Sequence, residues 1–510
     1  MFSPLISAVP LVLTCLLLMP WLNPVASGPS PSVLPWVMAA ACGVVLWVWR
    51  ARLTERLVAG TWLLAATLSA GMGLLQYFGH TLIWGGWVHT TVLGDAFANL
   101  RQRNQFATLT SIGLIALLWF ESRKLKISDE DRPMYWTSWV LKLPFMLALA
   151  VGNASSSSRT GMLQWFVILG LTVGWCPKGN RRTLAICSVS LVFYAIATLA
   201  LPGLLEFFTG IPRGGLLARF AEDPGCGSRR VLWANVMHLI AQKPWAGWGW
   251  GELDYAHFVT LYPGERFCEI LDNAHNLPLH LAVELGVPVA CLSLGLLTWW
   301  LARNRPWAEK NPTRQMAWAV LAVIGLHSLL EYPLWYGPFQ LAVGLCVLLL
   351  WRTRPENLNG VADKLLVRFT GIGLGAVSSA VAVLLLAVLG MVAWDYWRVS
   401  QLYLLPAHRA VAYRDHTLEQ VRNSWFFQDQ VQFAELTTVT LNEHNAAEHY
   451  AQALRLLHFS PEPRVIEAVM ESAVMLGKDS DALYFLQRYQ AAFPQEHAVW
   501  VARSARFKVP

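Results

Sequence analysis

In Asp272–Ala290, DNAHNLPLHLAVELGVPVA, a titratable imidazole, His275, stands directly before an apolar run. An imidazole there can serve as a base, a metal ligand or a packing group. Asn276 suits the N-cap of a helix beginning just after it, and Pro278 suits that helix's first turn. His275 then lies just outside the positive end of a helix dipole. That position disfavours imidazolium and keeps a neutral ring able to accept a proton. His275 and His280 do not fall on one helical face and no Cys/His cluster accompanies them, so a metal site is poorly supported. His280 and Glu284, spaced i,i+4, can satisfy each other.

Three arginines are candidates for binding an anion. Arg159 follows the serines of ASSSSRTG before an apolar run, where a helix start offers free backbone N–H groups and a positive dipole end suited to phosphate. The plainer reading is a capped helix with its Arg at the headgroup level. Arg103 opens RNQFA, in which Asn104 can cap a helix and Gln105 can donate to sugar or phosphate oxygens. A cap beside a solvated Arg is the plainer reading of that motif. Arg229 lies in GSRRVLW beside Arg230, and one of the doublet is expected to face solvent. Glu331 and Tyr332 occur in HSLLEYPLWYGPF, between two apolar runs. A carboxylate at that depth needs a partner, so a structural pair with Arg or His competes with a catalytic role. Glu252, Asp254, Glu265, Glu269 and Asp272 could in principle supply a two-carboxylate hydrolase, but acids spread along a polar loop are solvated by default.

The elements that must position these residues are membrane helices. The 510 residues are 55% hydrophobic and only 14% charged, with 26 Trp. Soluble domains average about 25% charged residues, and a Trp excess marks membrane interfaces. The net charge of +7 therefore does not indicate a nucleic-acid partner. Apolar runs occur at Leu5–Trp21, Val33–Trp49, Leu57–Phe78, Gln105–Phe120, Trp136–Val151, Gly161–Trp175, Leu184–Leu201, Leu277–Leu301, Met316–Leu330, Phe339–Trp351 and Gly371–Trp394. Each is weighed against a span of about 20 residues. Lys and Arg concentrate on alternate short connections: Arg50–Arg56, Arg123–Arg132, Lys178–Arg182, Arg303–Arg314 and Arg352–Arg368. The positive-inside rule then places the N-terminus in the cytoplasm and the C-terminus outside. The first run has no basic n-region and is not read as a signal peptide. Lys142, near a cytoplasmic span end, is explained by snorkelling. Cys15, Cys42, Cys187, Cys291 and Cys346 fall in apolar runs and Cys176 at a cytoplasmic end. Cys226 and Cys268 share the long external connection, where an oxidising compartment permits, and spacing alone does not prove, a disulfide.

The expected fold is all-α: a polytopic membrane bundle of about 11 transmembrane helices. Residues 1–394 form the membrane domain with an external loop over 202–276, and residues 395–510 form an external helical domain. In the latter, Tyr450 and Phe459 recur as Tyr484 and Phe493, the period of a tetratricopeptide-like helix pair, although plain helical hairpins fit as well.

GSRRVLW, KPWAGWGWG, DNAHNLPLHLAVELGVP and HSLLEYPLWY together resemble the O-antigen ligase and Wzy polymerase superfamily. RNQFA and SSSSRTG match its earlier outer helix ends. The resemblance is nearest to bacterial protein O-oligosaccharyltransferases of the PglL type, through EYPLWY and the long external tail. It implies en bloc transfer of an oligosaccharide from undecaprenyl diphosphate to Ser or Thr of exported proteins such as pilin. The reaction would take place on the periplasmic side of the inner membrane, without nucleotide sugar, metal or other cofactor. It implies His275 as the essential histidine and Arg159 and Arg229 as diphosphate ligands, with Arg103 a third candidate. Asn276, Gln105, Glu331 and Tyr332 are supporting candidates. The alternative acceptors are a lipid A-core or a growing glycan. A transporter or flippase for an anionic solute is the competing class, but internal repeats and broken mid-membrane helices are not visible.

Overall fold

The computed structural model describes residues 4–25, 29–30, 32–124, 135–175, 181–221, 225–354 and 372–506. Cys176 and the basic residues Lys126, Arg132, Lys178, Lys364 and Arg368 lie outside them. The described residues contain helices and connecting turns and no strand, so the all-α expectation holds. Contacts divide the chain into two units. The first comprises Met1–Ala26, Pro31–Glu222 and Leu301–Met391; the second comprises Ser27–Ser30, Asp223–Trp300 and Val392–Pro510.

The first unit is built from α1 (Pro4–Leu22), α2 (Val33–Val48), α3 (Glu55–Tyr77), α4 (Arg103–Lys124), α5 (Tyr135–Ser155), α6 (Arg159–Trp175), α7 (Arg181–Thr209) and the short α8 (Ala218–Ala221). The second unit contributes α9 (Arg229–Gln242), α10 (Leu253–Val259) and α11 (Leu277–Leu285). Then α12 (Val287–Asn304) leads back to α13 (Pro312–Ser328) and α14 (Gly337–Arg352) of the first. Helix α15 (Ile372–Ser400) precedes α16 (Thr417–Val421), α17 (Gln428–Thr438), α18 (Ala446–Leu456), α19 (Pro463–Met475), α20 (Asp479–Ala492) and α21 (Pro494–Arg506). Among the described residues, Glu55–Tyr77, Arg103–Arg123, Arg181–Thr209 and Val377–Tyr403 are long and apolar enough to cross a membrane, and shorter apolar helices accompany them. With the similarities reported below, this is a multi-pass membrane protein.

Helix α4 is the axis of the first unit. Phe106, Ala107, Leu109, Ile112, Leu114 and Ala116 are all fully buried, because α3, α5, α6 and α13 pack around it. Gly113 lets α4 approach Ala66 and Leu149, and Gly152 lets α5 approach Ala70. Small residues are the usual means of close helix packing where lipid removes the hydrophobic drive. Lys142 on α5 is buried against the carboxylate of Glu121 on α4. The snorkelling reading is thus replaced by an ion pair, invisible in sequence because its partner lies on another helix.

The run Leu277–Leu301 also departs from expectation. It is two helices, broken at Gly286, whose φ of 89° lies in the left-handed region. Gly247 (φ 68°) sits against the Glu284 carbonyl, and Gly286 sits against that of Trp245. Trp248 N and Gly249 N donate to Val283 O and Glu284 O at 2.9 and 3.0 Å. The Gly-rich turn thereby caps the C-terminal end of α11, satisfying carbonyls a helix end leaves open. At 9 residues, α11 is too short to span.

In the second unit, α17–α20 share a core with Phe258 of α10. Tyr450 is buried and donates to Asp481 at 2.7 Å, whereas Tyr484 is 42% exposed. The recurrence of these tyrosines therefore does not give equivalent packing.

Replacing Gly247 with Ala adds a Cβ that collides with the Glu284 carbonyl at a φ that L-residues avoid. The expected loss is about 1–3 kcal/mol, read as a lower melting temperature of the detergent-purified protein than that of Gly264→Ala, where a Cβ meets open space.

Candidate functional site

The first unit gathers its polar residues where α4, α6 and α14 begin and α5 and α13 end. Ser158 caps α6, its Oγ accepting from Gly161 N at 3.0 Å, and its hydroxyl donates to Asn104 Oδ1 at 2.6 Å. Arg159 follows as the first residue of α6 and is exposed. Asn104 is not a cap: it lies inside α4. Its amide also donates to Glu331 Oε1 at 3.3 Å, while Gln102 Nε2 donates to Glu331 Oε2 at 3.3 Å. Glu331 is buried and takes these two side-chain amides. Tyr332 opens the turn Pro333–Trp335 and stacks on Tyr336, ring centroids 5.9 Å apart. Behind this cluster, Thr108 links Asn104 O, His327 Nδ1 and Gln164 Nε2 at 2.8–2.9 Å.

Arg103 pairs with Asp95 at 3.2 Å, and Arg213 approaches the other Asp95 oxygen at 3.6 Å. A Cβ on Gly94 would stand 2.7 Å from Arg213 Cδ, so the glycine makes room for that pairing. Arg219 donates to Ser157 O at 3.0 Å. Asp95, Arg213 and Arg219 were missed in sequence. They meet Arg103 and the serine run only through the fold, although GDAFANLRQRN already places Asp95 near Arg103. Gln105 is 1% exposed and its Nε2 has no hydrogen-bond partner.

The second unit holds His275, Asn276, Arg229, Cys226 and Cys268. Asn276 caps α11 as expected, its Oδ1 accepting from Leu279 N at 3.1 Å, with Pro278 in the first turn. His275 is half-buried with φ 50°, and its N–H donates to Asn273 Oδ1 at 2.9 Å. Helix α9 and the turn Gly225–Gly227 before it brace this segment at three places. Trp233 Nε1 donates to Ala274 O at 3.1 Å, directly before His275. Asn235 donates to Glu265 O and accepts from Phe267 N at 2.9 and 2.8 Å. Cys226 and Cys268 form a disulfide across 42 positions, Cα atoms 5.5 Å apart. By chain entropy such a link is worth about 4 kcal/mol. Arg229 starts α9 behind the Ser228 cap and is half-buried, while Arg230 is exposed. His280 and Glu284 approach to 3.4 Å, both buried.

His257 stiffens the loop beneath. Its Nε2 lies 3.1 Å from Phe267 O and its Nδ1 2.8 Å from Tyr262 OH. A carbonyl only accepts, so Nε2 carries the proton and Nδ1 accepts from the phenol. Burial, helped by the Arg266 guanidinium, pushes His257 down to about 3. Asp254 moves oppositely: burial lifts it to about 7.

Sequence comparisons place these motifs among known proteins. Residues 144–294 match the O-antigen ligase family model, residues 96–120 the protein glycosylation ligase model, and residues 315–507 the model for the C-terminal part of virulence factor membrane-bound polymerases. The first spans Arg159, Arg229 and His275, and the second spans Arg103 and Gln105. The chain is 25% identical over 268 residues to a general O-oligosaccharyltransferase of Acinetobacter baylyi, covering 51% of this chain and 44% of that protein. It is 26% identical to a ComP-specific O-oligosaccharyltransferase of the same organism over 50% and 43%, and 26% identical to an O-antigen ligase of Pseudomonas aeruginosa over 48% and 49%. The chain thus spans about half the length of the curated relatives it matches. The resemblance to PglL-type protein O-oligosaccharyltransferases, read from the motifs, is upheld.

The His257 geometry sets a pH dependence. Unfolded chains bind a proton on His near pH 6.5, whereas the fold keeps His257 neutral down to about 3. Its contribution to stability is full above 6.5 and is lost as pH falls through that window. Melting temperature between pH 6.5 and 4 should fall less steeply in His257→Gln than in the wild type.

Proposed function

We propose that this protein transfers an oligosaccharide en bloc from undecaprenyl diphosphate to Ser or Thr hydroxyls of exported proteins such as pilin. The reading places it in the bacterial inner membrane with its N-terminus cytoplasmic, and with the loop over 202–276 and the domain over 395–510 periplasmic. The observation that carries it is the bracing of His275. A cap, a disulfide and an indole–carbonyl hydrogen bond all fix the backbone around one imidazole.

His275 acts as general base. An alcohol is a weak nucleophile at neutral pH, and a positioned imidazole that takes its proton contributes about 10²–10⁴-fold. The acceptor oxygen forms a bond to the anomeric carbon as the bond from that carbon to the phosphate oxygen breaks. The electron pair leaves with the diphosphate, and the hydroxyl proton passes to His275 and then to water. Arg159 and Arg229 stabilise the charge on the departing diphosphate. Arg103, already paired with Asp95, contributes less, and its partner holds it in place. Trp233 and Asn276 position the base; Glu331 holds Gln102 and Asn104, and Tyr332, the residue after Glu331, supports substrate binding. Energy stored in the glycosyl phosphate bond drives transfer.

A second reading keeps the chemistry and changes the acceptor to a lipid A-core or a glycan. The similarity to the Pseudomonas O-antigen ligase and to the membrane-bound polymerase model favours it. Co-expression with a lipid-linked glycan and each acceptor in turn separates the two: glycosylated lipid beside unmodified pilin selects the second.

His275→Ala should abolish transfer while the protein still inserts and melts normally, and retained turnover would remove the base. Arg159→Ala and Arg229→Ala should each weaken donor use by about 10-fold or more, read as donor kcat/KM. Trp233→Phe should lower kcat with donor binding unchanged.

A further inference from the structure

Helix α11 ends on a carboxylate that its surroundings disfavour. Glu284 is the next-to-last residue of the helix and is 1% exposed. The carbonyls of a helix end carry the negative pole of the dipole, where an anion is disfavoured. Burial pushes Glu284 up to about 7; the Gly251 and Leu253 amides pull it partly back, and Glu252 between them pushes it up again. Packing alone asks for an apolar residue here, as at the neighbouring Ala282 and Val283.

His280, one turn back and also buried, brings Nε2 to 3.4 Å from Glu284 Oε2. An ionised carboxylate only accepts, so a neutral His280 facing it carries its proton on Nε2. Burial, helped by the charge His275 carries when protonated, pushes His280 down to about 4, so it stays neutral near pH 7. Trp250 meets the ring edge-on, centroids 6.0 Å apart. His275 lies outside α11, so helical spacing does not govern it. It precedes the Asn276 cap, and His280 is the fourth residue of the helix. Side chains at these two positions fold together over the first turn of a helix, and that proximity is what lets a charge on His275 act on His280. The three side chains thus follow one another, from the half-buried His275 through His280 to the buried Glu284. Around them α9 and α10 bring apolar residues, Val236, Leu239, Leu253 and Ala256, to the core shared with α11.

We propose that Glu284 is a positioning residue for the base: acting through His280, its carboxylate stabilises the positive charge that His275 acquires on taking the acceptor's hydroxyl proton. This rests on His275 as the base and adds what supports its protonated form. An opposite charge nearby favours the charged form of an imidazole. The proton leaves from His275 to water, so Glu284 and His280 are unchanged over a turnover. The support is present while Glu284 is ionised and fades as pH falls through about 7.

The test is Glu284→Gln, which keeps the shape and removes the charge, on the purified full chain in nanodiscs. At about pH 8.5 its kcat should be about 10-fold lower, a part of the roughly 10²–10⁴ that a general base supplies, with donor KM unchanged. The gap should close as pH falls to about 5.5, where the wild type has lost the same charge. Glu284→Asp keeps a charge and should keep a gap that depends on pH. Unfolded Glu titrates near 4.3, so ionising Glu284 in the fold costs stability as pH rises from there through about 7. The melting temperature of Glu284→Gln should therefore equal or exceed that of the wild type at the higher pH. An unchanged kcat, a loss equal at both pH values, or a lower melting temperature overturns the proposal. Retained turnover in His275→Ala would defeat the base reading by itself. Carbethoxylation of His275 by diethyl pyrocarbonate, located by mass spectrometry, then decides the coupling: slower modification in Glu284→Gln at the higher pH alone sustains it, and equal rates at both end it.

Discussion

A buried carbonyl needs a donor, and the hydrogen bond from Trp233 to Ala274 meets that need at the residue before His275. An imidazole on a loop is useful only if its backbone has one conformation. Here the φ of 50° is a strained choice for histidine. The surroundings over-determine it: Asn273 takes the His275 N–H, Asn276 starts α11 immediately after, and the indole fixes the peptide immediately before. Helix α9 is rigid because its apolar face, Val231, Leu232, Val236 and Leu239, is buried in the core it shares with α10 and α11. Rigidity therefore passes from packing to backbone to side chain.

The first unit solves a related problem with a carboxylate. Glu331, buried at the end of α13, gathers the amides of Gln102 and Asn104 at the start of α4. Asn104 in turn receives the Ser158 hydroxyl that caps α6. One acid thus ties together three helix ends carrying Arg103, Arg159 and the Tyr332 turn. Asp95 does the same for two cations, Arg103 and Arg213. These acids explain why so many guanidinium groups can share one end of a helix bundle without driving it apart.

Local signals were legible in the sequence. Asn276, Pro278 and Ser158 act where their chemistry places them, because a cap is decided within a few residues. The disulfide was one of two readings of Cys226 and Cys268. What could not be read was long-range or buried in uniform hydrophobicity. Nothing in an apolar run announces that Gly286 adopts φ 89°, since the cause is the Trp245 carbonyl packed against it. Asn104 reads as a cap, yet α4 begins one residue earlier and turns its amide to Glu331 and Ser158. Glu121 and Lys142 are unremarkable alone and become a pair only when α4 and α5 pack.

The cross-link between Cys226 and Cys268 imposes an order on biogenesis. The sulfurs are far apart in the chain and flank the Asn235 clamp. Thiols join only where electrons can be withdrawn from them. Maturation of the His275 segment is therefore coupled to delivery of this loop into an oxidising space, and a host lacking thiol oxidants would accumulate inserted protein with a slack, unfinished loop.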